Sequence, residues 1–447
     1  MDIGFDTIGN ATLICYDKGP VLTTDPWLGA SAYFGSWILK HPIPEEQLQA
    51  IRECKFVWLS HGHPDHLHSA SLDQMVGKTI LLPDHVGRRI EGSLSEKGHI
   101  VKILPDRQWV ALSDRIRVCC IADYNQDAVL LIDVNGRLLF NMNDAGDQGW
   151  AKSVKKTIRG YDTSFLLKGS GLADMANFYD EDGHFLPPII LPSGPFLANL
   201  ADSFGVTHFI PFSSNHYNQR SDSAWAEEYS TSYDEYHIGF SSEQCQILPP
   251  FIRYDCAKDT FTEIAVTAIE SIVEAPEKFG DDWSTPLDKG DFAKIEHYFH
   301  LIAHLFDFLD FINFRVGGQD HHISFNKEKF RRGVSFEAPR NSLMTCIEYE
   351  IFDDMLIGNF MKTTLHGKWS ESKLYPEFGP YITKYADNGQ AKSKDELRSY
   401  MEQYRRRAPL EFLMHRLEFH TKNTFRNYVT HDSRLYSIVR GLYHRHA

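Results

Sequence analysis

Residues 60–68 read Ser-His-Gly-His-Pro-Asp-His-Leu-His, directly after the apolar run Phe56-Val57-Trp58-Leu59. Such a run suits a buried strand, and it ends at the first histidine. Within the loop, His61, His63, Asp65 and His66 form a His-x-His-x-Asp-His pattern. Imidazole nitrogens and a carboxylate suit zinc, iron or manganese. On a tight loop, the first two histidines can face one metal and the Asp-His pair a second. Two close cations polarise a substrate oxygen and lower the pKa of a shared water, which Asp65 is placed to orient or deprotonate. His68 lies one step outside the pattern and reads as a supporting or surface residue.

The chain has 447 residues, which suggests two domains. Its hydrophobic fraction of 42% and charged fraction of 24% are those of a globular protein. The net charge of −14 argues against general nucleic-acid binding, because phosphate binding needs a basic footprint. A small anionic substrate held by a few local cations stays compatible with it. The seven cysteines are scattered, with no Cys-x-x-Cys, so buried free thiols are expected. The start of the chain lacks a basic region followed by an apolar run. No stretch approaches about 20 uninterrupted apolar residues, so no membrane span is expected and the cytoplasm is the expected location.

Short strands are predicted at 3–8, 11–16, 21–24, 56–60, 79–82, 116–121, 128–134, 137–142, 163–168 and 207–211. Asn135-Gly136 reads as a hairpin turn between two of them. Residues 69–76 and 151–160 read as helices. Strands and short helices alternating over about 250 residues predict a layered α/β domain. The pattern changes near residue 270. Phe292, Ile295, Phe299, Ile302, Leu305, Phe306, Leu309 and Ile312 recur at helical spacing and predict one long amphipathic helix. Residues 334–366 read as strand then helix, and 394–446 as helix opened by a capping box at Ser393–Glu396. Asp320-His321-His322 reads as a loop, and Arg405–Arg407 as a solvated helix face. Residues 1–270 are thus expected to form the catalytic domain and 275–447 a mixed, largely helical second domain or cap.

The His-x-His-x-Asp-His loop resembles that of the metallo-β-lactamase superfamily, which implies an αββα sandwich. Gly9-Asn10-Ala11-Thr12-Leu13-Ile14 and Leu22-Thr23-Thr24-Asp25-Pro26-Trp27 resemble the start of its branch with ascorbate-lactonase-like and phospholipase-D-like members. The resemblance implies that Asp25 supports a ligand histidine from behind. Asn10 stands where many relatives carry histidine. The resemblance also asks for an Asp bridging two metals, for which Asp144 is the candidate, and a late histidine, for which His216 is the candidate with His208 as competitor. One further histidine is expected before the bridging Asp, but Ile121–Ala128 contains none. Asp123 or Asp127 could substitute, which would favour iron or manganese over zinc.

A second resemblance narrows the branch. Asp162–Gly171, following Asn143-Asp144, then Pro211-Phe212, and later Phe352-Asp353-Asp354-Met355-Leu356-Ile357-Gly358-Asn359-Phe360 resemble, in that order, the CMP-N-acetylneuraminate hydroxylase family. That family couples a Rieske iron–sulfur domain to a metallo-β-lactamase-like one. No Cys-x-His…Cys-x-x-His arrangement occurs here. The expected cofactor is one or two divalent ions, zinc or iron/manganese. The leading expectation is hydrolysis of an ester, amide, lactone or phosphodiester by metal-activated water. The alternative is a dinuclear-iron oxygenase acting on a small molecule such as a nucleotide sugar, with electrons from a separate partner. A non-catalytic binding protein is the third reading, and the complete ligand motif argues against it.

Overall fold

The computed structural model describes residues 1–426 except 125, 170–176, 189, 191, 371, 376 and 392. Its centre is two facing β-sheets. The first has eight strands in the order Thr260–Glu263, Ile252–Asp255, Ile3–Ile8, Thr12–Asp17, Pro20–Thr24, Phe56–Trp58, Thr79–Pro83 and Ile100–Leu104. The second has seven, in the order Gln246–Ile247, His208–Pro211, Thr163–Lys168, Arg137–Asn143, Ala128–Val134, Ile116–Ala122 and Trp109–Ala111.

The strand sequences are apolar on both faces because both faces are covered. Side chains alternate along a strand, so one run feeds two cores. Leu130 and Ile132 point between the sheets, with Leu13, Trp58, Leu139 and Phe165. Val129 and Leu131 point outward, onto Val154 of the helix Ala151–Ile158 and Leu197 of the helix Ser193–Phe204. On the far side, Ile14, Val57 and Ile80 pack with Ile51 of the helix Glu45–Glu53 and Leu94 of the helix Arg89–Glu96. The layers are therefore helix, sheet, sheet, helix, as expected from the sequence.

A third sheet of five strands runs Phe178–Tyr179, Lys362–Gly367, Arg332–Glu337, Phe311–Val316 and Gln319–Ser324. Helices Lys289–His300, Arg340–Tyr349 and Phe352–Ile357 complete its core. Arg220 ties this part to the sandwich. Its side chain is fully buried, meets Asp281 at 2.7 Å and Asp222 at 2.8 Å, donates to the Phe34 carbonyl, and lies over the Phe360 ring. Asp281 also accepts the amide and hydroxyl of Ser342.

Several expectations need correction. The helical stripe from Phe292 is not one helix. The helix ends at His300, a 3-10 turn spans Ala303–Asp307, and Phe311–Val316 is a strand. A dense row of Phe, Ile and Leu satisfies both periods. The Asp310 carboxylate accepts the Phe330 and Arg332 amides, which fixes the chain for sheet pairing. Asp320-His321-His322 lies in a strand rather than a loop, with His321 against Phe292 and His322 against Phe311. After Arg332–Glu337 come two helices and then a return strand, not a single helix. Ser393 accepts the Glu396 amide and opens the helix Lys394–Arg407, and Arg405 and Arg406 engage Glu402 on an exposed face. Residues 427–446 of the predicted final helix lie outside the described residues, as do Ser170 and Gly171. Among the described residues no helix is long and apolar enough to cross a membrane.

All seven cysteines are buried and unpaired. Burial pushes Cys54, Cys245 and Cys256 up to about 12 and Cys119 to about 11. The thiolate is the reactive form, so a thiol reagent at pH 8 should leave the native protein unmodified and label all seven sites after denaturation. Rapid labelling of the native protein would contradict this packing.

Candidate metal centre

The ligand loop begins where the strand Phe56–Trp58 leaves the first sheet. Its start is pinned by Asp25, which follows the neighbouring strand Pro20–Thr24. The Asp25 amide donates to the Trp58 carbonyl, and its carboxylate accepts the Ser60 amide at 2.8 Å. The same carboxylate lies 3.4 Å from His66 Nδ1 and accepts Asn143 Nδ2 at 2.8 Å. Asn143 ends a strand of the opposite sheet, so the two sheets meet through this network. Asp25, Asn143, Ser213 and Ser214 all hold positive φ, between 39° and 83°. Asp and Asn tolerate that conformation, whereas Ser213 and Ser214 need their surroundings to hold it.

His61, His66 and Asp144 converge, each offering a donor atom within 4.8 Å of the others. His66 Nε2 lies 3.1 Å from Asp65 Oδ2 and 3.2 Å from Asp144 Oδ2, yet makes no aligned hydrogen bond. A buried imidazole nitrogen facing two carboxylates without a hydrogen bond fits a ligand directed at a cation. His61 Nε2 is 2.9 Å from His63 Nδ1 and 3.9 Å from Asp144 Oδ2. Asp65 accepts from Asn10 at 3.0 Å and from the Tyr33 hydroxyl at 2.6 Å. Asp144 accepts the Ser213 hydroxyl at 3.0 Å. The donor set suits divalent metal, one ion or two.

Asp127 Oδ1 lies 3.9 Å from His61 Nδ1, and Asp123 and Asp127 both line the cavity above the cluster. His216 lines that cavity too. It is buried, stacked on Trp37 at 3.5 Å between centroids, and carried by the short pairing of His216–Asn218 with Trp37–Leu39. It is not one of the three converging donors. The competitor His208 lies away from this cavity, stacked on Phe165. His68 bonds Ser71 beneath the loop.

The electrostatics follow from burial and crowding. Burial drives His61 well below the usual range, and the neighbouring His66 and His63 add to it. Burial would lower His66 as well, but Asp65 and Asp144 raise it instead. Those two carboxyls are held below their usual range by His66, against the effect of burial. Burial and then Asp144 raise Asp127. Burial lowers His216 to about 4, which leaves a neutral imidazole at neutral pH. Burial acts against His63, yet the Asp353 carboxylate at 3.3 Å brings it up to about 9.

A helix–sheet–sheet–helix sandwich with a His-x-His-x-Asp-His loop at the strand ends, facing an Asp from the opposite sheet, decides the architecture. The chain has the metallo-β-lactamase fold. No family model matches the chain. Among curated proteins it is similar to cytidine monophosphate-N-acetylneuraminic acid hydroxylases. The protein from Danio rerio is 27% identical over 129 residues, covering 27% of this chain and 22% of that one. The protein from Asterias rubens is 27% identical over 134 residues, covering 28% and 20%. The chain thus spans about a quarter or less of the length of these relatives. Solved structures that resemble it include the metallo hydrolase Igni18 from Ignicoccus hospitalis (TM-score 0.35, 12% identity, 59% of this chain and 99% of that one). Another is CmlA, a diiron beta-hydroxylase from Streptomyces venezuelae (TM-score 0.33, 14% identity, 47% and 44%).

Within the metallo-β-lactamase fold, Asn10 has a role that sequence reading left open. It donates to Asp65, and its side-chain oxygen and carbonyl accept the Asn215 and Ser213 amides, bringing the His216 segment beside the ligand loop. Asn143, Lys168 and Asp353 stood in the sequence motifs without a role at the site, and Tyr33 escaped the sequence reading. Lys168 donates to the Asn143 and Ala145 carbonyls and so holds the Asp144 turn. For Asp353 a signal existed: two consecutive carboxylates within the apolar run Phe352–Phe360 demand buried partners.

Gly62 separates the first two histidines, and a Cβ there would lie 2.1 Å from Tyr385 Cδ2. Gly62→Ala should therefore destabilise the protein by about 1–3 kcal/mol through overpacking, read as a lower urea midpoint. An unchanged midpoint would show that Tyr385 does not press on the loop.

Proposed function

We propose that this chain is a dinuclear-metal oxygenase that hydroxylates a small polar molecule, using electrons from a separate donor. One observation carries this reading: Asp127 lies beside His61 where the fold's relatives are expected to supply a histidine. Asp123 and Asp127 line the cavity beside Asp65 and Asp144, and were they to join the cluster's ligands the donor set would be oxygen-rich, which favours iron or manganese over zinc. The similarity to curated hydroxylases supports the same direction. In this reading His61, His63, His66, Asp65, Asp144 and His216 hold the metals, Asp123 or Asp127 completes the set, and Asp25 steadies His66 from behind. Residues 1–270 carry these groups and 275–447 cap them.

Bound metals would supply dioxygen activation. The overall balance is a C–H bond, dioxygen, two electrons and two protons giving a C–OH group and water, so a reductant is required. The chain's own residues shape the rest. Asp65 is positioned by the donors Asn10 and Tyr33, Lys168 fixes the turn that presents Asp144, and Trp37 orients His216. The cavity has a volume of about 440 Å³, enough for a small substrate, with Gln148, Ser214 and Tyr375 among its polar walls.

Hydrolysis is the second reading. The cavity is open to solvent, so water reaches Asp144, which is 43% exposed at its floor. A metal-bound water there could be oriented by Asp65. Metal analysis with oxygen uptake separates the two. Purified protein should carry about two iron or manganese ions per chain and consume oxygen when reduced. About two zinc ions, with no oxygen uptake, would overturn the oxygenase reading in favour of hydrolysis. His61→Ala should remove most of the metal; unchanged content would refute the site.

A further inference from the structure

The helix Phe352–Ile357 brings a carboxylate to the ligand loop from far along the chain. Asp353 is buried, and its Oδ2 lies 3.3 Å from His63 Nε2. The other ring nitrogen, Nδ1, lies 2.9 Å from His61 Nε2, on the side of the metal cluster. A neutral imidazole has one N–H, and its other nitrogen carries the lone pair that can bind a metal. A carboxylate at Nε2 accepts the Nε2–H, so the proton that a bound metal would displace is the one on Nδ1, whose lone pair then faces the cluster. The hydrogen bond at Nε2 is with the Gln126 amide nitrogen, at 3.4 Å, while Asp353 makes an ion-pair contact there; the buried Gln126 Oε1 has no hydrogen-bond partner. Turned over, that amide would offer a second acceptor to the same N–H.

A second contact makes this more than a chance approach. Tyr385 covers Gly62 so closely that no side chain fits there. Residues 353 and 385 thus touch consecutive positions of the ligand loop, His63 and Gly62.

We propose that Asp353 is the positioning residue of His63: it accepts the Nε2–H, selects the tautomer and aims Nδ1 at the metal. The metal centre is then completed by a residue outside the sandwich. Docking of the helix Phe352–Ile357 becomes a condition for tight metal binding.

This inference rests on the metal-binding reading of the ligand loop, and cobalt(II) binding to the full chain separates the two. Wild-type protein that binds no cobalt at the cluster defeats that reading. If the wild type binds, Asp353→Ala should weaken cobalt binding by about 10–100-fold. It should also abolish one slowly exchanging, hyperfine-shifted N–H proton resonance, while the metal-free protein keeps its fold by circular dichroism. Binding within about threefold of wild type, with that resonance retained, would overturn the inference. If Asp353→Ala fails to fold, Asp353→Asn decides. The amide oxygen still accepts the N–H but draws it less strongly, so the resonance should persist at a shifted position. A resonance at the wild-type position would overturn the inference.

Discussion

The structure depends on one buried carboxylate, Asp25. It is fully buried, a costly place for a charge unless its oxygens are hydrogen-bonded. Here one oxygen takes the Ser60 amide and the other meets Asn143 and His66. A strand end, the ligand loop and the opposite sheet are therefore locked at one point. Removing one partner would leave a buried charge uncompensated, a situation that costs several kcal/mol in proteins of this kind. The positive φ angles at Asp25 and Asn143 are sustained by the same bonds.

From that point the site builds outward in two directions. Toward the second sheet, Asn143 sets up Asp144, and Lys168 holds the carbonyls on either side of it. Toward the last third of the chain, Tyr385 and Asp353 press on the ligand loop, while Arg220 joins Asp281 and Phe360 deeper in the joint. The cavity is lined from both sides, by Asp65, Asp127 and Asp144 from the sandwich and by Asp353, Ile357 and Thr383 from the later segments. Its character is consequently acidic, which suits cations and leaves substrate selection to the polar groups at its rim.

The sandwich was legible because its strands are short, apolar and separated by turn residues, and because the ligand loop sits at a strand end. The spacing of His61, His63, Asp65 and His66 was readable for the same reason, and Asp144 followed from its place after the strand Arg137–Asn143. What was hidden was long-range. Asn10, Tyr33 and Asp353 are ordinary polar residues until the fold brings them within 3.0, 2.6 and 3.3 Å of the loop. The stripe beginning at Phe292 misled because its apolar spacing fits a helix and a strand alike; only pairing with Arg332–Glu337 and Gln319–Ser324 selects the strand at Phe311. His216 was findable as a histidine after a strand, but its stacking on Trp37 was not.

The central claim is that the loop and Asp144 together hold metal. Anomalous diffraction from crystals of the protein as purified, collected across the iron, manganese and zinc edges, tests it most directly. The account predicts one or two metal peaks about 2.0–2.2 Å from His61, His66 and Asp144, with iron or manganese as the dominant element. Metal peaks located away from these residues, or none in a protein that retains full activity, would contradict it.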